Sequence, residues 1–266
     1  MQATDTVFAG SIPDLYDRCL GPFLFEPYAA DLAARARILE PRRILETAAG
    51  TGIVSAALAA ALPEAEIVAT DLNPGMLQVA AAKLDSARVT FAPADAQSLP
   101  FPDARFDLVV CQFGAMFFPD RVAAYREARR VLKPGGAFLF NVWDRLDANP
   151  ASQTIADAVA GLFPDDPPGF LGRVPFGYHD KARVEADLRA AGFAEVEAET
   201  VAKRSRGAAL DVAPGLCQGS PLRAEIEARA PERLEEASEA ALAALVERHG
   251  DPVDAAMSAH VFTARG

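Results

Sequence analysis

Between residues 42 and 143 the chain alternates short apolar runs with helix-patterned stretches, and that alternation leaves little choice of architecture. Residues 43–46 (RILE) read as a buried strand, and residues 50–62 as an alanine-rich helix stopped by Pro63. Residues 67–70 (IVAT) give a second strand ending at Asp71. Asn73 followed by Pro74 offers a cap and a pre-set first helical residue, so a helix is expected to about Leu84. Residues 89–92 (VTFA) are a third strand. Residues 106–112 (FDLVVCQ) are a fourth, continuously apolar as in a strand covered on both faces. Asp120 is placed to cap a helix reaching Leu132. Lys133-Pro134-Gly135-Gly136 then reads as a turn before a fifth strand at 137–143. Strands and helices alternating at this spacing form a parallel sheet with helices on both faces.

The flanks are less regular. Residues 144–178 hold five prolines and four glycines, and within them only 151–163 is helix-patterned, with Asn149-Pro150 at its start. The remainder is expected to be loop or lid. Asp180 should cap a helix to Ala191, with Gly192 just past its end and a strand at 193–201. Residues 207–220 are expected to be irregular. Pro221 and Pro231 each open a helix, and the second ends at Gly250 with Leu234, Ala241, Leu242, Leu245 and Val246 on one apolar stripe. The last strand is expected at 258–264.

Composition narrows the function. The 266 residues suit one α/β domain with an insertion, and 51% hydrophobic content supplies a core. The net charge of −11 argues against a nucleic-acid binder, since Lys203, Arg204 and Arg206 form the one short basic cluster. Cys19, Cys111 and Cys217 are too scattered for a disulfide framework or zinc site, so no metal is expected. The longest fully apolar run, residues 56–62, is far below the roughly 20 residues of a membrane helix, and no basic residue precedes an apolar stretch at the start. A cytoplasmic protein acting on a small molecule is the expectation, monomer or homodimer being left open.

The chemistry gathers at Leu45-Glu46-Thr47-Ala48-Ala49-Gly50-Thr51-Gly52, where a strand ends at an acid and turns through small residues into a helix. Gly50 and Gly52 let a ligand approach the backbone, and the helix start beyond offers unpaired N–H groups. In a doubly wound sheet, ligands bind at this carboxyl edge. Asp71 ends the second strand, where a carboxylate can accept from two ribose hydroxyls, and Asp95 follows the third, within reach of an adenine amino group. Either acid alone is more readily a loop residue or a helix cap. Acids at the ends of three successive strands favour a nucleoside site.

Four blocks together make the chain resemble a class I S-adenosylmethionine-dependent methyltransferase of the small-molecule, ubiquinone/menaquinone-biosynthesis branch. They are LETAAGTG (45–52), ATDLNPGML (69–77), ADAQSLPF with FDLVVCQFGAMFF (94–101 and 106–118), and VLKPGGAFLF (131–140). GFAEVEAETV (192–201) with SAHVFTA (258–264) is similar to the family's closing antiparallel hairpin. The resemblance implies a Rossmann-like, seven-stranded α/β sheet of order 3-2-1-4-5-7-6. It also implies one methyltransferase domain: N-terminal cap helices (1–41), the cofactor core (42–143), a lid (144–178 and 207–250) and a closing helix and hairpin (179–206 and 251–266). The cofactor implied is S-adenosylmethionine, leaving as S-adenosylhomocysteine. On the family's pattern Glu46 and the loop Ala48, Ala49, Gly50, Thr51 and Gly52 would hold its methionine end. Asp71 would take the ribose, Leu72 and Met76 would pack beside the adenine, and Asp95 and Ala96 would contact it. Gln112 would lie by the transferring methyl, and Tyr16 would reach the methionine carboxylate. One departure is that the family's first loop glycine is Ala48 here.

Methyl transfer from a sulfonium is an in-line displacement with a neutral leaving group, so alignment, worth roughly 7–11 kcal/mol, can supply most of the acceleration. A base is required only if the acceptor must lose a proton. His179 is the best-placed candidate, although a helix-start residue facing solvent is the plainer reading; His249 reads as a helix C-terminal residue set against the dipole and His260 as structural. Aromatic residues outside the motifs (Phe113, Met116, Phe117, Phe118, Trp143, Phe163, Phe170 and Phe176) suit a lid over a flat or apolar acceptor, or plain packing under a long loop. Two competing readings stay open. A nicotinamide-dependent oxidoreductase is suggested by Gly50-Thr51-Gly52 with Asp71 about 20 residues on, although Ser55 stands where the third glycine belongs. A non-catalytic methyltransferase-like binding protein is the other.

Overall fold

In the computed structural model, which describes Asp5 and residues 12–266, seven strands form one mixed sheet in the order β3-β2-β1-β4-β5-β7-β6. They are β1 (Arg43–Thr47), β2 (Glu66–Asp71), β3 (Val89–Pro93), β4 (Phe106–Gln112), β5 (Leu132–Trp143), β6 (Glu195–Gly207) and β7 (Val253–Arg265). β1 runs parallel to β2 and β4, β2 to β3, and β4 to β5. Ala194 N donates to Arg265 O at 2.9 Å and Ser205 Oγ to Ala255 O at 3.3 Å, so β6 and β7 run in opposite directions. The expected strand order is the one observed. Leu108 to Cys111 of β4 are wholly buried, which accounts for a run with no polar face.

The start of the parallel sheet is tied by one carboxylate. Asp107 Oδ2 accepts from Arg42 N (3.1 Å) and Arg43 N (2.8 Å), while its Oδ1 accepts from Lys133 Nζ (2.6 Å). Burial pushes the Asp107 pKa up, but the Lys133 bond and the two backbone N–H groups outweigh this and hold it below the usual carboxylate range.

The helix caps at Asn73, Asp120 and Asp180 form as the sequence suggests, each side chain accepting a backbone N–H of the first turn. Elsewhere the structure corrects the sequence reading. Lys133–Gly136 is no turn between elements but lies within β5. Phe106 pairs with Leu132 and Leu108 with Ala137, and left-handed Gly135 (φ +79°) absorbs the surplus as a bulge. Residues 207–220 hold a helix, Ala209–Gln218, despite Pro214 inside it. Its buried Ala209, Val212, Ala213, Leu216 and Cys217 follow helical spacing, and that burial overrides the proline. Asn149 stands at the start of the Pro150–Leu162 helix without capping it, because its Oδ1 accepts from Ser258 N (3.0 Å) instead, while Nδ2 donates to Arg145 O and Ser258 O. On the Leu234–His249 helix the buried face is Ala237, Ser238, Ala241 and Leu245, and Val246 is exposed. β6 and β7 are longer than expected because their pairing continues beyond the apolar stretches.

The chain divides into two compact units. One comprises Tyr28–Val142, Tyr178–Val201 and Ala259–Gly266. Its aromatic core includes Phe138 stacked on Phe140 (4.5 Å) beneath Tyr125. The other comprises Met1–Pro27, Trp143–Gly177 and Ala202–Ser258. There the Leu234–His249 helix packs on Pro150–Leu162 and Ala209–Gln218, and the last also meets the π-helix Tyr16–Phe25. A Cβ on Gly215 would lie 2.8 Å from that of Cys19, so the approach requires glycine. Buried Asp5 and Glu225 share the Arg173 guanidinium in the same unit.

Candidate functional site

β1 ends at Glu46-Thr47, and the chain then turns through left-handed Ala48 (φ +52°), Gly50 (φ +55°) and Gly52 (φ +79°) into the Ile53–Ala61 helix. A Cβ on Gly52 would lie 2.8 Å from Ala80 Cβ of the Pro74–Lys83 helix, so packing as well as φ requires glycine there. An L-residue at Ala48 costs about 1 kcal/mol in this conformation. Its methyl is admitted because the facing residue, Gly114, has no side chain. A Cβ at 114 would run into Ala48 Cβ and lie 2.9 Å from Cys111 Sγ. Ala49 packs with Ala69, Leu77 and Phe91.

Glu46 is buried and accepts a 2.5 Å hydrogen bond from Ser55 Oγ. Burial pushes its carboxyl up to about 8, with the Ser55 bond opposing and the Asp71 charge adding to the rise. The folded protein therefore holds a proton that the unfolded chain releases near 4.5. Stability from this group is full below that lower value and is lost as pH rises through about 8. Glu46→Gln should remove on the order of 5 kcal/mol of pH-dependent stability across that interval. Calorimetric melts of the ligand-free protein test this; equal pH slopes for both proteins would place the titration elsewhere.

Asp71 is joined to the loop. Its Oδ2 accepts from Gly50 N and its Oδ1 from Asn73 N, both at 2.8 Å. Burial raises its pKa against the pull of those backbone donors. Leu72 is 65% exposed, a large apolar side chain standing open beside the acid, whereas Met76 is buried. Asp95 accepts from Gln97 N (2.8 Å) and Gln97 Nε2 (3.2 Å), and Ala96 beside it is half-buried. Gln112 closes β4, half-buried. Thr51 is buried, and its Oγ1 has no hydrogen-bond partner.

After β4, Phe113 adopts φ +50°, its ring edge-on to Tyr28 at 5.3 Å, and Phe117 is half-buried. His179 is half-buried beside the Asp180 cap. His249 Nε2 meets Thr154 Oγ1 at 2.9 Å and His260 Nδ1 meets Thr200 Oγ1 at 3.0 Å, structural placements as expected. The remaining aromatic candidates belong to the second unit. Tyr16 stacks on Phe25 (4.8 Å), Trp143 lies 6.4 Å from Phe25 and 5.7 Å from Phe176, and Phe170 is fully buried. The three cysteines are free and buried, with the Cys111 thiol pushed up to about 12 by burial. Among the described residues no cluster of three or more His, Cys, Asp and Glu is placed to hold a metal, and no helix is long and apolar enough to cross a membrane.

Sequence reasoning missed four contributors. Ser55, read as a missing glycine, is the partner of Glu46. Thr70 Oγ1 donates to Glu46 O at 2.9 Å. Gly114 makes room for Ala48. Asn141, on β5, accepts Phe113 N at its Oδ1 (3.0 Å). Only the last carried a signal, as the one polar residue in an otherwise apolar run.

A methyltransferase-domain family matches residues 45–140. The chain is 36% identical over 166 residues to demethylmenaquinone methyltransferase of Deinococcus radiodurans, covering 61% of this chain and 67% of that one. It is 37% identical over 140 residues to the ubiquinone/menaquinone biosynthesis C-methyltransferase UbiE of Burkholderia mallei, covering 50% and 58%. In fold it is similar to the solved YcgJ protein of Bacillus subtilis, with TM-score 0.57 and 20% identity over 90% of this chain and 99% of that one.

Proposed function

Since the chain belongs to the S-adenosylmethionine-dependent methyltransferases of the ubiquinone/menaquinone-biosynthesis branch, we propose that it methylates a ring carbon of a small reduced quinone. What supports the cofactor half of this reading is the joining of Asp71 to the glycine loop, which sets an acid, a side-chain-free turn and a helix start side by side. The residues fit the group. Thr51 Oγ1 lacks a partner that a ligand would supply, and the Asp71 carboxylate has one acceptor site beyond the three taken by the N–H groups of Gly50, Leu72 and Asn73. In this reading Glu46 with residues 48–52 holds the methionine end, Asp71 takes the ribose, Leu72 and Met76 flank the adenine, Asp95 and Ala96 bind its edge, and Gln112 lies by the methyl. The proton that Glu46 retains to about pH 8 would be given up as a cationic methionine end comes to lie against it. When bound, S-adenosylmethionine supplies an electrophilic methyl group and leaves as a neutral thioether. The chain's task is to align the partners and exclude water, and His179 is the candidate base where the acceptor must lose a proton. The acceptor half rests on what the similar proteins are named for.

The test supplies S-adenosylmethionine labelled in its methyl group with 1,4-dihydroxynaphthalene, a simple phenol and an aliphatic amine. Label should appear on a ring carbon of the naphthalene. Label on oxygen or nitrogen would replace the acceptor class, and binding of S-adenosylmethionine without transfer to any acceptor would leave a non-catalytic binding protein.

A further inference from the structure

Asn141 lies opposite Gln112 at the carboxyl tips of β4 and β5 and is fully buried. Its Oδ1 accepts from Phe113 N at 3.0 Å. A backbone N–H faces an oxygen, so this bond fixes which end of the amide is which and leaves Nδ2 at the seam between the two strand tips. Nδ2 has no hydrogen-bond partner. The side chain is not needed to satisfy Phe113 either, because Asn141 O accepts the same N–H at 3.2 Å. The amide thus adds a redundant acceptor and an orphaned donor to an otherwise apolar strand end, a net cost unless a third group completes it.

We infer that Asn141 Nδ2 donates a hydrogen bond to an oxygen of the methyl acceptor, the phenolic oxygen adjacent to the carbon that is methylated. This rests on the function proposed above. A dihydroxy ring becomes nucleophilic at carbon when its phenol loses a proton, and a neutral N–H donor at the oxygen favours the anion without trapping it as an ion pair would. The balance is simple. The phenol gives its proton to water, and a ring C–C bond forms to the methyl as the C–S pair stays on sulfur. The displaced ring proton then leaves to water, restoring the aromatic ring as its phenolate, and the oxygen takes a proton back from water, so one proton is released per methyl transferred. Nδ2 is covered by its neighbours, so the oxygen reaches it as side chains at the tips move aside.

The test compares the wild type with Asn141→Asp, which keeps an oxygen for Phe113 N and replaces the donor, and Asn141→Ala, which removes both. The probe is 1,4-dihydroxynaphthalene under argon, followed by methyl transfer and by its fluorescence on binding without S-adenosylmethionine. Both variants should lose about 30-fold in kcat/KM and about tenfold in probe affinity, while affinity for S-adenosylmethionine stays within about twofold. In Asn141→Ala the rising limb of kcat against pH should move to higher pH, since that limb reports groups in the bound complex. Wild-type turnover in Asn141→Asp would overturn the inference, as would a parallel loss of S-adenosylmethionine affinity, which marks a structural role. Should the wild type transfer no methyl, the proposed acceptor fails, and the fluorescence titration still decides for Asn141: equal affinities overturn it. If Asn141→Asp does not fold, Asn141→Leu, with the same number of side-chain heavy atoms, takes its place.

Discussion

Asp71→Ala is expected to weaken S-adenosylmethionine binding about 100-fold. Hydrogen bonds to a charged group contribute about 1.5–3 kcal/mol each, and a loss of roughly 2.7 kcal/mol is a factor of 100. The substitution would also free Gly50 N and Asn73 N, which the carboxylate holds at 2.8 Å, so the loop and the start of the next helix lose their common anchor. Asp71→Asn separates the two effects. It keeps an oxygen for Asn73 N but turns an NH2 toward Gly50 N, so its affinity should lie near that of the alanine variant while its melting temperature stays closer to the wild type. Calorimetric titration with S-adenosylmethionine or its thioether product reads both. Unchanged affinity in Asp71→Ala would reduce the acid to a loop anchor.

Gly114→Ala should destabilise the protein by about 1–3 kcal/mol, the usual range for overpacking a closed contact. The added methyl would collide with Ala48 Cβ and crowd Cys111 Sγ. Ala48→Gly alone should be neutral to stabilising by up to about 1 kcal/mol, because φ +52° suits glycine. Combining the two should recover most, though not all, of the loss, since Cys111 remains in the way. Denaturant melts of the four proteins form a double-mutant cycle. Additivity would show that the two residues do not share this space.

The parallel half of the sheet was legible because its signals are local. Continuous apolar runs such as 106–112 and caps such as Asn73 and Asp120 act within a few residues. The misreadings arose where a distant partner decides the outcome. Pro214 and the glycines of 133–136 look like breakers, yet burial of the Ala209–Gln218 face and pairing with β4 keep both stretches in regular structure. Asn149-Pro150 marks a helix start correctly, yet Asn149 does not cap that helix, because Ser258, far along the chain, takes its amide. At the site, Glu46, Asp71 and the loop could be placed from spacing, since each follows directly from a strand end. Ser55 as partner to Glu46, and Gly114 as the space for Ala48, required knowing which loop faces which.

The single carboxylate of Asp107 gathers the opening residues of β1 and the bulged start of β5 at the sheet's rear. With alignment of the central strands settled there, the opposite rim is relieved of that duty. Side chains at the strand ends can then be replaced without shifting the register, wherever they do not interlock as Ala48 and Gly114 do.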